Sequence, residues 1–356
     1  MSSTAPEARP VVQLVGVRRR FGDVDALAGL DLEVPENRIT VLLGPNGAGK
    51  TTAIRMITGA LEPHEGTVRS FGLDPAEHGE QVRLRCGVVS AKPALYDRLD
   101  GWANLAYAAE LYGLGRGARV EATIRAAAAR FGIDHALDQR VGGFSTGMKT
   151  RLALARSILH RPDLLLFDEP TSGLDPESSH AVLEMIREMT DDGRTVVMCT
   201  HLLLEAEGLA DQVVVMEDGR DLVSGTPFEL TQRYWPGTVV LVEAENPERF
   251  EVATGIAGVD RIEADPVPAR RCLHVDGPES IAPVVSALVA SGLRLTRVEP
   301  LTATLEDLYF AVRTKRAVAD DGGRQLTAEK AASDLRQHPM ASLTGWSRPT
   351  ADGSTR

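Results

Sequence analysis

The sequence predicts an α/β protein: a large unit on a mostly parallel sheet, interrupted by a helical insert, with a small α/β unit behind it. Three observations predict this. Short runs of β-branched and leucine residues between 11 and 225 are apolar at consecutive positions, as strands covered on both faces are. Between 93 and 160 the chain becomes rich in Ala, Leu and Arg, which favours helices. Beyond Tyr234-Trp235-Pro236-Gly237, whose Pro and Gly punctuate the chain, strand-like and helix-like stretches resume.

Taken in order, residues 1–10 are a polar leader and 11–230 the main unit. Residues 39–43, 164–167, 195–199 and 212–216 carry the clearest buried strands. Residues from Thr52 to Ile57 begin a helix, and 120–131 is a helix of the insert (about 93–160), set off by Gly113-Leu114-Gly115-Arg116-Gly117. Asp218-Gly219 has the chemistry of a tight hairpin turn. In the second unit, 235–312, strands at 238–243 and 272–275 and helices at 279–291 and 304–312 suggest a βαββαβ sandwich. Residues 313–356 are polar and without sustained periodicity, and are expected to be a disordered tail.

Composition narrows the function. A chain of 356 residues exceeds the usual single domain, and 43% hydrophobic with 25% charged residues excludes a wholly disordered one. The net charge of -11, from 39 basic and 50 acidic side chains, argues against a nucleic-acid partner. Cys86, Cys199 and Cys272 are far apart and odd in number, so neither a disulfide framework nor a clustered zinc site is expected. His64, His78, His160 and His180 have no ligand spacing and read as surface or helix-packing residues. No stretch approaches the roughly 18 apolar residues that span a bilayer, and the start lacks a signal-peptide core.

The chemistry is concentrated in two places. Gly44-Pro45-Asn46-Gly47-Ala48-Gly49-Lys50-Thr51-Thr52 follows an apolar strand and opens a helix, the setting of a phosphate-binding loop. The helix N-terminus favours an anion, Gly47 and Gly49 allow close backbone approach, Lys50 suits the β- and γ-phosphates, and the Thr51 hydroxyl suits Mg²⁺. Leu164-Leu165-Leu166-Phe167-Asp168-Glu169 is a strand ending in two acids, and ligands of open α/β sheets gather at such carboxyl ends. Asp168 is expected to hold the Mg²⁺ through water, and Glu169 to be the general base for an attacking water.

Phe144-Ser145-Thr146-Gly147-Met148, leading into a helical run, resembles the signature motif of the ATP-binding-cassette (ABC) family. The resemblance covers roughly residues 11–227 and implies a phosphate-loop NTPase cassette with a helical subdomain. By the same resemblance Phe21 stacks on adenine, Asp175 in Ser172-Gly173-Leu174-Asp175 belongs to the seam between subunits, and His201 is the switch histidine at the γ-phosphate. The family also implies a head-to-tail dimer in which Ser145, Thr146 and Gly147 close over the other subunit's ATP.

Pro93-Ala94-Leu95-Tyr96-Asp97-Arg98-Leu99 and Leu305-Glu306-Asp307-Leu308-Tyr309-Phe310 resemble the daunorubicin-resistance branch. That branch implies a homodimer working with a separate ABC-2 type permease, on the cytoplasmic face of the membrane. Two features depart from the family. Ala91 stands where a Gln normally contacts Mg²⁺, and a methyl cannot ligate a metal. Thr146 and Met148 replace the usual first Gly and a polar residue of the signature. Alternatives are a soluble cassette ATPase outside transport, although such proteins usually carry two cassettes or a long coiled coil, and a regulatory module with impaired hydrolysis.

Overall fold

The computed structural model describes residues 10–234, 238–301 and 304–320. The expected leader, except for residue 10, and the expected tail beyond 320 lie outside the described residues, as does most of the break at Tyr234-Trp235-Pro236-Gly237. The chain divides into two units, Met1–Pro227 and Phe228–Arg356.

In the first unit the apolar runs become a six-stranded sheet. β3 (Ile39–Leu43), β6 (Leu164–Asp168) and β7 (Thr195–Thr200) are buried along their whole length, while β8 (Gln212–Glu217) is buried except at its ends. With β5 (Cys86–Val89) and β9 (Arg220–Gly225) the order is β5-β6-β7-β3-β8-β9. All neighbours are parallel except β8 and β9, which form an antiparallel hairpin. Its turn holds Asp218 at φ 50° and Gly219 at φ 72°, the paired left-handed conformations that match the twist of a tight hairpin.

Against one face lies a second, antiparallel sheet in the order β2-β1-β4, formed by β1 (Val12–Phe21), β2 (Val24–Val34) and β4 (Glu65–Ser70). Leu14, Leu30 and Leu32 of this sheet share a core with Leu42, Leu164, Leu166 and Val197 of the parallel sheet and with Ala53, Ile54 and Ile57 of α1 (Lys50–Ile57). Truncating a fully buried member such as Leu42 to alanine costs about 2–5 kcal/mol, because the cavity only partly closes. α2 (Pro75–Arg83) starts at Asp74, whose side chain accepts from the Ala76 N–H, with Pro75 in the first turn.

The insert is helical, as expected. It holds α3 (Gly101–Leu111), α4 (Ala118–Arg130) and α5 (Thr146–Ser157), with two short 3-10 turns before α5. Alanines at 108, 109, 127, 128, 153 and 155 are buried, so the helix axes approach closely around Leu105, Ile124, Phe131 and Leu152. Asp100 caps α3, its carboxylate accepting from the Ala103 N–H at 2.7 Å. Just beyond α3 the Tyr112 ring stacks on His160, with centroids 3.6 Å apart. α6 (Pro176–Asp191) and α7 (Leu203–Glu207) follow β6 and β7.

The second unit departs from the expected βαββαβ order in having a 3-10 helix in place of the first α-helix and a further helix after the last strand. After α8 (Pro227–Tyr234) come β10 (Thr238–Ala244), a 3-10 helix (Pro247–Gly255), β11 (Val259–Ala264), β12 (Arg270–Val275), α9 (Ile281–Ala290), β13 (Leu295–Leu301) and α10 (Leu305–Asp320). The sheet is antiparallel in the order β11-β12-β10-β13, covering a core of Val240, Val242, Phe250, Leu273, Val284 and Leu288. A second expectation is corrected: α10 continues over residues 313–320, where a disordered tail was expected to begin. Arg313, Lys315, Arg316, Ala317 and Ala319 are good helix formers, and no Gly or Pro intervenes before Gly322.

Candidate active site

The phosphate loop leaves the carboxyl end of β3 and is held from both sides. Gly49 has φ 103°, and a Cβ there would fall 2.5 Å from the Ala26 carbonyl oxygen, so only glycine fits between the loop and β2. On the other side, the Gly219 N–H donates to the Ala48 carbonyl at 3.1 Å, and the Ala28 N–H donates to the Gly219 carbonyl at 2.8 Å. Ala48 is buried, while Asn46, Gly47 and Thr51 are exposed and Pro45 and Thr52 half-buried. α1 begins at Lys50 with no side-chain cap and no acid in its first turn, so its first amides and its dipole can accept an anion.

Sheet order brings the remaining groups to this loop. β7 lies between β6 and β3, with Asp168 level with Cys199 and Leu43 level with Thr200. The acids leaving β6, the histidine leaving β7 and the loop leaving β3 therefore emerge side by side. Successive side chains of a strand point to opposite faces, which would separate Asp168 from Glu169. Glu169 instead adopts φ 52°, its N–H donating to the Cys199 carbonyl at 2.9 Å, and the turn swings its carboxylate to the same side. Such a left-handed conformation at a residue other than glycine costs on the order of 1 kcal/mol.

The contacts are short. The Thr51 hydroxyl donates to Asp168 Oδ2 at 2.7 Å. Lys50 Nζ, its side chain only 6% exposed, donates to the Gly44 carbonyl at 2.6 Å and lies 3.3 Å from Glu169 Oε1. That buried Oε1 receives no well-aligned hydrogen bond, so the lysine meets it as a charge rather than as an aligned donor. His201 Nδ1 stands 2.7 Å from Glu169 Oε2, with the ring 42% exposed. Behind the cluster, burial pushes the Cys199 thiol well above its usual range, with the Asp168 charge adding to it.

Lys50, Thr51, Asp168, Glu169 and His201 thus form one cluster. The other expected residues lie elsewhere. Ser145 caps α5, its hydroxyl accepting from the Met148 N–H at 3.2 Å, and Gly147 lies against Leu174 and Ser178. Asp175 caps α6, accepting from the Ser178 N–H at 2.9 Å and hydroxyl at 2.7 Å, which holds its carboxyl below the usual range. Thr146 adjoins Gly173. Ser145, Thr146, Gly147 and Asp175 make a second cluster, with no hydrogen bond or ion pair to the first among the described residues. Phe21 ends β1, 44% exposed, with the Arg19 guanidinium 5.0 Å from its ring centroid. Ala91 is exposed in the loop after β5, where the Ser90 hydroxyl donates to the Lys92 carbonyl.

Residues 27–172 match the protein family described as ABC transporter. The daunorubicin resistance ATP-binding protein DrrA2 of Streptomyces coeruleorubidus is 35% identical over 309 residues, spanning 86% of this chain and 95% of the relative. The chain belongs to the ABC transporter ATP-binding proteins. The ABC transporter ATP-binding protein NatA of Bacillus subtilis (strain 168) is 37% identical over 220 residues, 60% of this chain and 89% of NatA. A solved ATP-binding subunit of an ABC transporter superposes with TM-score 0.58 at 29% identity, covering 63% of this chain and 93% of that one. ABC ATP-binding subunits work with a transmembrane permease, typically as dimers. No helix among the described residues is long and apolar enough to cross a membrane.

One group beside the ABC site escaped sequence reasoning. Glu205 Oε2 accepts from the Thr171 hydroxyl at 2.7 Å and from the Thr200 hydroxyl at 3.3 Å. Burial pushes its carboxyl up, against the lowering effect of the two hydroxyls. The one available signal was its place a helical turn after His201, which many surface acids share.

Proposed function

We propose that this chain is the ATP-hydrolysing motor subunit of an ABC-2 type exporter of the drug-resistance kind, working as a homodimer on the cytoplasmic face of the membrane. The observation that carries the reading is the convergence of Lys50, Thr51, Asp168, Glu169 and His201 at the carboxyl ends of three neighbouring strands. The loop amides and Lys50 grip the β- and γ-phosphates. The Thr51 hydroxyl and the Asp168 carboxylate, 2.7 Å apart, are two hard oxygens, which suits Mg²⁺ because that ion keeps several waters and takes substrate phosphates. When bound there, the metal would supply positive charge to offset the charge developing on the phosphate oxygens.

Glu169 takes the proton of the attacking water. Its Oε2 is oriented by His201, and Lys50 Nζ lies 3.3 Å from its Oε1. Two separate clusters in one chain support the head-to-tail dimer, in which Ser145, Thr146 and Gly147 of one subunit offer donors to ATP held by the other. Phe21 is the adenine platform, on the hairpin whose second strand abuts Gly49. The daunorubicin resistance protein's name supports an exporter of drug-like cargo.

Lys50→Ala tests the site: Mg-ATP binding, measured by calorimetry, is expected to be lost, and an unchanged affinity refutes the assignment. A second reading, a regulatory module with impaired hydrolysis, is favoured only by Ala91 and the altered signature. Steady ATP turnover by the complex with its permease excludes it.

A further inference from the structure

We infer that Glu205 is a positioning residue for hydrolysis, clamping together the two loops that carry Glu169 and His201; the inference rests on the ATPase reading above. The ladder between β6 and β7 ends where the Glu169 N–H donates to the Cys199 carbonyl. Beyond that point the two chains part, one running through Pro170 and Thr171 towards α6 and the other through Thr200 and His201 into α7. Glu205 bridges the gap.

One oxygen, Oε2, accepts from both Thr171, two residues after Glu169, and Thr200, one residue before His201. Both threonines are buried, 3% and 0% exposed, so neither hydroxyl can turn to bulk water instead. The Thr200 hydroxyl in turn accepts from the Leu202 N–H at 3.0 Å, fixing the backbone on the far side of His201. The 2.7 Å contact between His201 and Glu169 therefore rests on loops braced from behind by a residue of neither. Glu205 touches no reacting atom and acts through Thr171 and Thr200.

A clamp of this kind acts on the chemical step rather than on nucleotide affinity. Displacing a catalytic group by about 1 Å costs on the order of 100-fold in rate. In the full-length chain, Glu205→Ala is expected to lower kcat for Mg-ATP by about tenfold or more while KM stays within about twofold. Glu205→Gln keeps an amide oxygen that accepts both hydroxyls and is expected to restore kcat to within about threefold of wild type. Adding Thr171→Val to Glu205→Ala is expected to bring no further loss, since the bond from Thr171 is already gone once Glu205 is truncated.

If Glu205→Ala fails to fold, Thr171→Val combined with Thr200→Val carries the test with the same expected fall in kcat. A wild-type kcat in the variants, a change confined to KM, or a Gln variant as slow as Ala at equal melting temperature overturns the clamp while leaving the ATPase reading intact. A wild-type chain that turns over no ATP, alone or with its permease, overturns both.

Discussion

Glu169→Gln removes one negative charge from the cluster and leaves its shape almost unchanged. At 3.3 Å the carboxylate attracts Lys50 Nζ by about 5 kcal/mol gross, taking an effective dielectric of about 20. Desolvation of two largely buried side chains offsets most of that figure. Its sign still decides the outcome for binding: the amide competes less for Lys50, so Mg-ATP affinity is expected to hold or tighten. Hydrolysis goes the other way. A general base contributes about 10²- to 10⁴-fold, or about 3–5 kcal/mol of barrier, and an amide cannot take the proton. Single-turnover hydrolysis of pre-bound ATP should therefore slow by at least 100-fold, while a fluorescent nucleotide still titrates and the dimer accumulates in sedimentation. Turnover near the wild-type rate would remove Glu169 from the role of base, and loss of nucleotide binding would mean that Lys50 needs the carboxylate as a structural partner.

Ala91→Gln places an amide oxygen where the family's glutamine normally faces the metal; turnover is expected to reach half its maximum at lower Mg²⁺, and an unchanged Mg²⁺ titration would show that residue 91 does not reach the site. His160 is held below its usual value of 6.5 by burial, against the opposing bond to the Cys86 carbonyl, and its Nδ1 is buried without a partner. The unfolded chain therefore takes the proton first, so this contribution to stability is complete above about pH 6.5 and is lost as pH falls towards the folded value. Melting temperatures from pH 7.5 to 5 should fall more steeply for wild type than for His160→Phe, and parallel curves would contradict the assignment. Burial pushes the Cys86 thiol up to about 12 and Cys272 up to about 11, with Cys199 higher than usual as well, so maleimide at pH 8 should label the native chain slowly and all three thiols after denaturation. Rapid native labelling of any of the three would show that its element opens.

Most of the parallel sheet was readable because β3, β6, β7 and β8 are apolar at nearly every position, a pattern that survives without knowledge of their neighbours. Strands of the antiparallel sheet were not marked individually. In β1 the register shifts between Leu14 and Val17 and again beyond, so its alternation is broken by bulges. β13 was missed for a related reason: it is an edge strand, mostly open to water, and carries Pro300 within its pairing. At the site, Lys50, Thr51, Asp168 and Glu169 announce themselves by motif, but the pairing of His201 with Glu169 depends on β6 lying beside β7, and sheet order is not a local property. Nor does anything local say that Glu169 turns left-handed or that Glu205 reaches Thr171.

The hairpin tip at Gly219 has a bearing on synthesis. Residues 44 to 51 emerge from the ribosome early, yet the bonds that fasten Ala48 and Ala28 come from a residue made much later. Until then a nascent chain carries every letter of its phosphate motif with one wall of the cradle absent. Competence to hold nucleotide therefore arrives with near-completion of the first unit, so that incomplete products are poorly equipped to capture ATP.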